Sequence, residues 1–155
     1  MTKDYSQVVT VRGLREFRSA LKEASDKLPR ELGKANKAVA EFVVDMARQR
    51  ATSTSRTAAR GARGLSYSGG QLSSTVRLSG DKIPGALGSE FGAAHNVPRQ
   101  TSRGAMRGWN QFPTWRGNKG DVGYFLFPTI RNTQPEQLAL YERMVALLMQ
   151  TAYPD

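Results

Sequence analysis

The stretch from Leu14 to Arg50, LREFRSALKEASDKLPRELGKANKAVAEFVVDMARQR, constrains the fold more than any other part of the chain. Its apolar residues are Leu14, Phe17, Leu21, Ala24 and Leu28, continuing as Leu32, Ala35, Val39, Phe42 and Met46. Steps of three and four put them on one face of a helix, which must be buried against something else. Pro29 interrupts the pattern, and proline suits a first helical turn but not a helix interior. The spacing therefore predicts a short helix to about Asp26 and a longer one from Pro29 to about Arg50. Pro29 and the shortness of the pattern argue against a continuous coiled coil.

The rest of the chain supplies what that helical face packs on. SQVVTVRG alternates weakly and predicts a strand over Gln7 to Arg12. QLSSTVRLSG predicts another, with Leu72, Ser74, Val76 and Leu78 on one face. KIPGALGSEFG reads as a short antiparallel strand, in which Glu90 and Phe91 point to opposite faces. Phe91 is then expected on the helices near Phe42 or Val39, and Glu90 outward. DVGYFLFPTIRN has strand character that Pro128 ends. The last segment, TQPEQLALYERMVALLMQTAY, reads as a helix capped by Thr133 or Asn132. Pro135 and Glu136 suit its first turn, and Leu138, Tyr141, Val145 and Leu148 share a face. The expected fold is a single α+β domain over residues 1–155: a small, mainly antiparallel sheet on a long N-terminal helix, broken near Pro29, and a C-terminal helix. Residues 51–70 are expected as a flexible basic loop, and residues 92–121 as a long loop or docking arm.

Charge narrows the function. The net charge is +10, and it is unevenly spread. Residues 46–120 carry twelve Lys/Arg and two Asp/Glu, whereas residues 121–155 carry two and four. Such a field favours polyanions or an acidic protein face. Arg48, Arg50, Arg56, Arg60 and Arg63 stand among Ser, Thr and Gly with no local acid, the composition of an arm that contacts a polyanion such as DNA, or an acidic partner. Arg99, Arg103, Arg107, Trp109, Trp115 and Arg116 form the second basic stretch, expected as a protein-interface arm with the tryptophans as anchors. Catalysis is not expected. The only histidine is His95, there is no cysteine, and the acids Asp81 and Glu90 of the basic middle are too scattered to hold a metal. SYSGGQLSS and RGNKGD lack the Gly-Lys-Ser/Thr end of a phosphate loop. No cofactor is expected. No run is long enough to span a bilayer, and MTKDYSQVVTV lacks the apolar stretch of a signal peptide, so no membrane is expected as a partner.

The order of motifs carries a resemblance. A helix broken at LPREL runs into KANKAVAEFVVDMARQRA, then a polar stretch into SGGQLSSTVRL, then GSEFG, then GYFLFPTIRN before a terminal helix. Gly70, Leu72 and Ser74 form a Gly-x-Leu element one residue short of the family spacing Gly-x-Leu-x-x-Ser; Glu90, Phe91 and Gly92 form a Glu-Phe-Gly element. This series resembles the gene-product-ten-like tail-completion, or head-to-tail joining, proteins of bacteriophages with long non-contractile tails. It covers most of the chain except residues 93–120. The resemblance implies a non-enzymatic ring subunit, in six copies, made in the host cytoplasm and assembled into the virion neck. Its neighbours would be a head-closure ring and a tail terminator or tube, with genomic DNA contacted, if at all, without regard to sequence. The competing expectation is a non-enzymatic nucleic-acid-binding module that uses its basic loops.

Overall fold

The computed structural model describes residues 6–9, 28–93, 99–100, 106–107, 111–118 and 120–152. The chain is α+β. In order it forms β1 (Ser6–Val9), α1 (Leu28–Thr54), α2 (Arg56–Gly61), a 3-10 turn (Ala62–Gly64), β2 (Leu65–Gly69) and β3 (Ser74–Leu78). Then follow α3 (Ala86–Phe91), β4 (Arg99–Gln100), β5 (Met106–Arg107), α4 (Leu126–Asn132) and α5 (Gln134–Ala152). The helix expected to end near Asp26 lies outside the described residues, as do residues 10–12 of the first expected strand.

The chain divides into two compact units. The first comprises Met1–Met46, Ser66–Arg77 and Asn132–Asp155. Its sheet is ordered β1-β3-β2, with β1 antiparallel to β3 from Ser6↔Arg77 to Val9↔Ser74. Pro29 is buried in the first turn of α1, where its missing N–H costs nothing. Along α1 the buried positions are Leu32, Ala35, Asn36, Val39, Ala40, Val43, Val44, Ala47 and Ala51. Among the described residues the expected stripe holds from Leu32 through Ala35 to Val39. Beyond it the buried row continues in steps of four, through Val43, Ala47 and Ala51, so Phe42 and Met46 are only half-buried. Leu32 packs against Val145, Leu148 and Met149 of α5. In β3, Ser74, Val76 and Leu78 are buried and Arg77 is exposed, the expected alternation. α5 begins as expected, with Glu136 in its first turn. The Thr133 carbonyl accepts from the Gln137 N–H, and its hydroxyl accepts from Gln137 Nε2 at 2.9 Å.

A small motif braces β2 and β3 against α1 in this unit. Asn36 Nδ2 donates to the Gly70 carbonyl at 2.7 Å, and Ser74 Oγ donates to the Asn36 carbonyl at 2.6 Å. The Gly70 N–H closes the β2–β3 turn on the Ser73 carbonyl. Gly69 lies against the α1 backbone at Lys37, where a β-carbon would overlap it. The Gly70-Leu72-Ser74 element thus holds the turn on the long helix.

The second unit comprises Ala47–Leu65 and Leu78–Arg131. Its core is Ala47, Ala51, Ala58, Ala62, Leu65, Leu78, Ala86, Phe125 and Leu126. Three expectations fail here. The flexible loop expected over residues 51–70 is instead structured as far as Gly69: α1 runs to Thr54, and after Ser55 come α2, the 3-10 turn and β2. Ser55 starts α2 as an N-cap, its hydroxyl accepting from the Ala58 N–H at 3.0 Å. KIPGALGSEFG is not a strand: residues from Ala86 to Phe91 are helical, entered at Gly85 with φ 86° and left at Gly92 with φ 77°. The glycines that suggested a strand's sharp ends are the left-handed ends of a short helix. DVGYFLFPTIRN is not a strand either: Leu126–Asn132 is α4, and Pro128 lies in its first turn.

Candidate functional site: a basic concavity

Glu90 explains both of the misread segments. It is fully buried. Its Oε2 accepts from the backbone N–H groups of Phe125 at 2.9 Å and Leu126 at 3.0 Å, and its Oε1 from that of Phe127 at 3.0 Å. A carboxylate on α3 therefore caps α4, serving three donors that a helix start leaves without internal partners. Burial raises its pKa above the usual carboxylate value, against the opposing pull of those N–H groups. Gly123, with φ 83°, lies so close to Glu90 Oε1 that a side chain there would displace the carboxylate. Glu90 is thus not the outward-facing charge that strand alternation suggested. Phe91 packs on Phe127, ring centres 5.4 Å apart, and on Trp115 at 6.3 Å. The Gly92 N–H closes α3 on the Gly88 carbonyl, and a β-carbon at Gly92 would strike the Pro113 and Thr114 carbonyls.

The five arginines expected to meet DNA or an acidic partner divide in two. Arg48 Nη2 donates to the Leu65 carbonyl at 3.2 Å, and Arg50 Nε to the Tyr124 carbonyl at 3.3 Å. Both brace the backbone of the second unit. Arg56, Arg60 and Arg63 instead converge on one concavity of about 760 Å³, completed by Gly85, Gln111 and Phe112 among others. All three are exposed, no carboxylate lines the concavity, and no ion pair holds them among the described residues. Arg56 and Arg60 are one helical turn apart on α2, and Arg63 follows in the 3-10 turn. Gly61 abuts the Ser89 side chain, and the Phe112 ring lies against Gly85 and Gly88 at distances a side chain would not allow.

The expected protein-interface arm is only partly brought together. Trp115 is half-exposed beside Phe91. The Arg116 guanidinium stacks 4.5 Å from the centre of the Tyr124 ring and lies 3.9 Å from Asp121, which Arg131 approaches at 3.8 Å. Arg99 and Arg107 are paired across the β4–β5 ladder. Arg103 and Trp109 lie outside the described residues, as does His95. The 111–118 segment crosses the end of α3, where the Arg116 N–H donates to the Phe91 carbonyl at 2.6 Å and Ala93 bridges Thr114.

In the first unit a cavity of about 170 Å³ lies between α1 and α5, lined by Asn36, Val39, Ser74, Gln137, Leu138 and Tyr141. The Tyr141 hydroxyl is buried without a hydrogen-bond partner among the described residues, and burial raises its pKa. Among the described residues no three His, Asp or Glu side chains gather to hold a metal ion, and no helix is long and apolar enough to cross a membrane. No known protein family, curated protein or solved structure matches the chain.

Proposed function

We propose that the chain is a structural subunit of a bacteriophage neck, a ring that completes the tail at the head–tail junction and leaves a channel for DNA. The observation that carries this reading is the ordered motif series, together with the use the fold makes of it. Gly70 and Ser74 are bound to Asn36 on the long helix. Glu90 holds the Phe125–Phe127 backbone that precedes the terminal helix. The two short elements of the resemblance, at Gly70–Ser74 and Glu90–Gly92, therefore serve as braces within the fold. The reading carries no cofactor and no enzymatic step. It puts six copies in a ring, a number that comes from the resemblance; head-to-tail contacts close into a ring when the rotation allows. Neighbours are the head-closure ring and the tail terminator or tube.

Particles from the phage that encodes the chain test this directly. Mass spectrometry of purified virions should find the chain, and a particle image should show a ring of it at the neck. A null phage should accumulate unjoined heads and tails, rescued by the chain supplied in trans. Absence from the virion, or one copy on the axis, refutes the reading. The basic concavity favours a second reading, a nucleic-acid-binding module outside any particle. Virion content separates the two, because only the first predicts the chain as a component of purified particles.

A further inference from the structure

We propose that the concavity walled by Arg56, Arg60 and Arg63 is a seat for the phosphodiester backbone of nucleic acid, bound without regard to base sequence. The argument starts from a cost. Like charges one helical turn apart on an exposed helix repel. The fold nevertheless sets Arg56 and Arg60 on one turn of α2, adds Arg63 beyond them, and provides no carboxylate in the lining. Arg48 and Arg50 on the preceding helix are tied to backbone carbonyls of the same unit. The three that are left pointing into the concavity are thus the ones an external anion would neutralise.

The anion is a phosphate chain rather than an isolated ion. Guanidinium forks match phosphate oxygens two at a time, and three of them spread along one wall suit several anionic groups in succession. The volume of about 760 Å³ admits more than a single phosphate. Phe112 and Gln111 on the lining offer an apolar ring and an amide beside the cations, as sites that track a nucleic-acid strand combine charge with an aromatic surface. The walls are held by packing rather than by the ligand. Ser55 caps α2, Gly61 abuts Ser89, and Phe112 rests on the glycines of α3. The backbone that carries the three arginines is thereby set before anything binds, so only their side chains remain to be ordered.

The inference rests on this geometry and not on the neck reading, so either can fail alone. The test is fluorescence anisotropy of the full chain with a labelled duplex and a labelled oligothymidylate. The triple variant Arg56→Ser/Arg60→Ser/Arg63→Ser is compared with a control, Arg30→Ser/Lys82→Ser/Arg143→Ser. The control removes the same charge from exposed positions elsewhere. Three phosphate contacts predict duplex binding about 40-fold weaker at 200 mM than at 50 mM salt, and about 20-fold for the single strand. The concavity variant should bind at least tenfold more weakly at 50 mM salt and lose most of that salt dependence, with unchanged circular dichroism. The control should stay within about threefold of wild type. The larger loss, on duplex or on single strand, identifies which form the seat takes. Failure of wild type to bind either, or equal losses in both variants, overturns the proposal. So does displacement of the nucleic acid by polyglutamate at equal charge, which would make the concavity a docking surface for acidic protein.

Discussion

Replacing Glu90 should destabilise the second unit more than any other single change at an acidic residue. In Glu90→Ala the Phe125 and Leu126 N–H groups lose their acceptor in a buried setting, and Phe127 loses its own in a half-buried one. An orphaned buried donor costs about 1–3 kcal/mol. Two buried orphans and one half-hydrated one sum to roughly 4–6 kcal/mol, and relief of the buried carboxylate's desolvation returns part of this, leaving about 3–5 kcal/mol. For a chain of this size that lowers Tm by roughly 10 °C. Glu90→Gln is the finer probe. Its single oxygen can keep Phe125 and Leu126, but its NH2 then faces the Phe127 N–H, donor against donor, for a loss of about 1–3 kcal/mol. The pH dependence has a definite sign. Burial raises the folded pKa above the ordinary value of 4.5, so the folded state binds the proton more tightly than the unfolded one. The contribution of Glu90 is therefore fully present below pH 4.5 and declines as pH rises through the folded pKa. Urea melts followed by tryptophan fluorescence, with Trp115 beside Phe91 as reporter, give both quantities. The stability of wild type minus that of the Gln variant isolates the group, because other titrations cancel. A loss below 1 kcal/mol for Glu90→Ala would refute the capping role, as ~1 kcal/mol is the typical loss at an ordinary exposed cap. A difference that grows as pH rises through that window would refute the direction of the shift.

Gly92→Ala should cost about 3 kcal/mol or more in a thermal melt, because a left-handed φ of 77° coincides with overlap on the Pro113 and Thr114 carbonyls; a cost under 1 kcal/mol would mean the 111–118 segment does not lie there. Ser74→Ala should lose about 1 kcal/mol through its bond to the Asn36 carbonyl, as read from urea midpoints at unchanged m-value. Tyr141→Phe should be neutral or stabilising by up to ~1 kcal/mol, since the buried hydroxyl has no partner among the described residues, and in an absorbance titration of wild type one tyrosine should ionise above the usual 10.

The elements that could be read from the sequence are those whose pattern is local. The apolar steps of α1, the first-turn signals Pro135 and Glu136 of α5, and the alternation of Ser74, Val76 and Leu78 each sit within one segment. α3 and α4 were not readable in this way, because each depends on the other. Phe125–Leu126–Phe127 is an aromatic, strand-like triplet until an acceptor is brought to its three N–H groups, and that acceptor, Glu90, lies 35 residues from the first of them. The fold overrides propensity there by supplying a cap from a distant helix. α2 did carry a local signal. Ala51, Ala58 and Ala62 are its buried residues and those of its flanks, spaced as one helical face, with Ser55 placed to cap. Among Arg, Ser, Thr and Gly these small residues read as filler, although alanine is the apolar residue that lets short helices approach closely.

The basic cluster was nonetheless readable where its conformation was not, and the reason is physical. Whether an arginine can find a carboxylate nearby depends first on which residues surround it in sequence, and between Arg48 and Arg77 the chain offers no acid. That shortage holds whether the segment is loop or helix. What conformation adds is selection. The turn of α2 and the 3-10 turn collect Arg56, Arg60 and Arg63 on one wall, while Arg48 and Arg50, of equal standing in the sequence, are drawn off to the Leu65 and Tyr124 carbonyls. Composition thus identifies a surplus of charge, and folding decides which part of it stays available. A flexible arm would have presented all five cations to any polyanion at a considerable ordering cost. The folded wall presents three from a set backbone. Binding to it should therefore be weaker in its dependence on salt than five contacts would give, and far more sensitive to loss of these three residues than to loss of charge elsewhere.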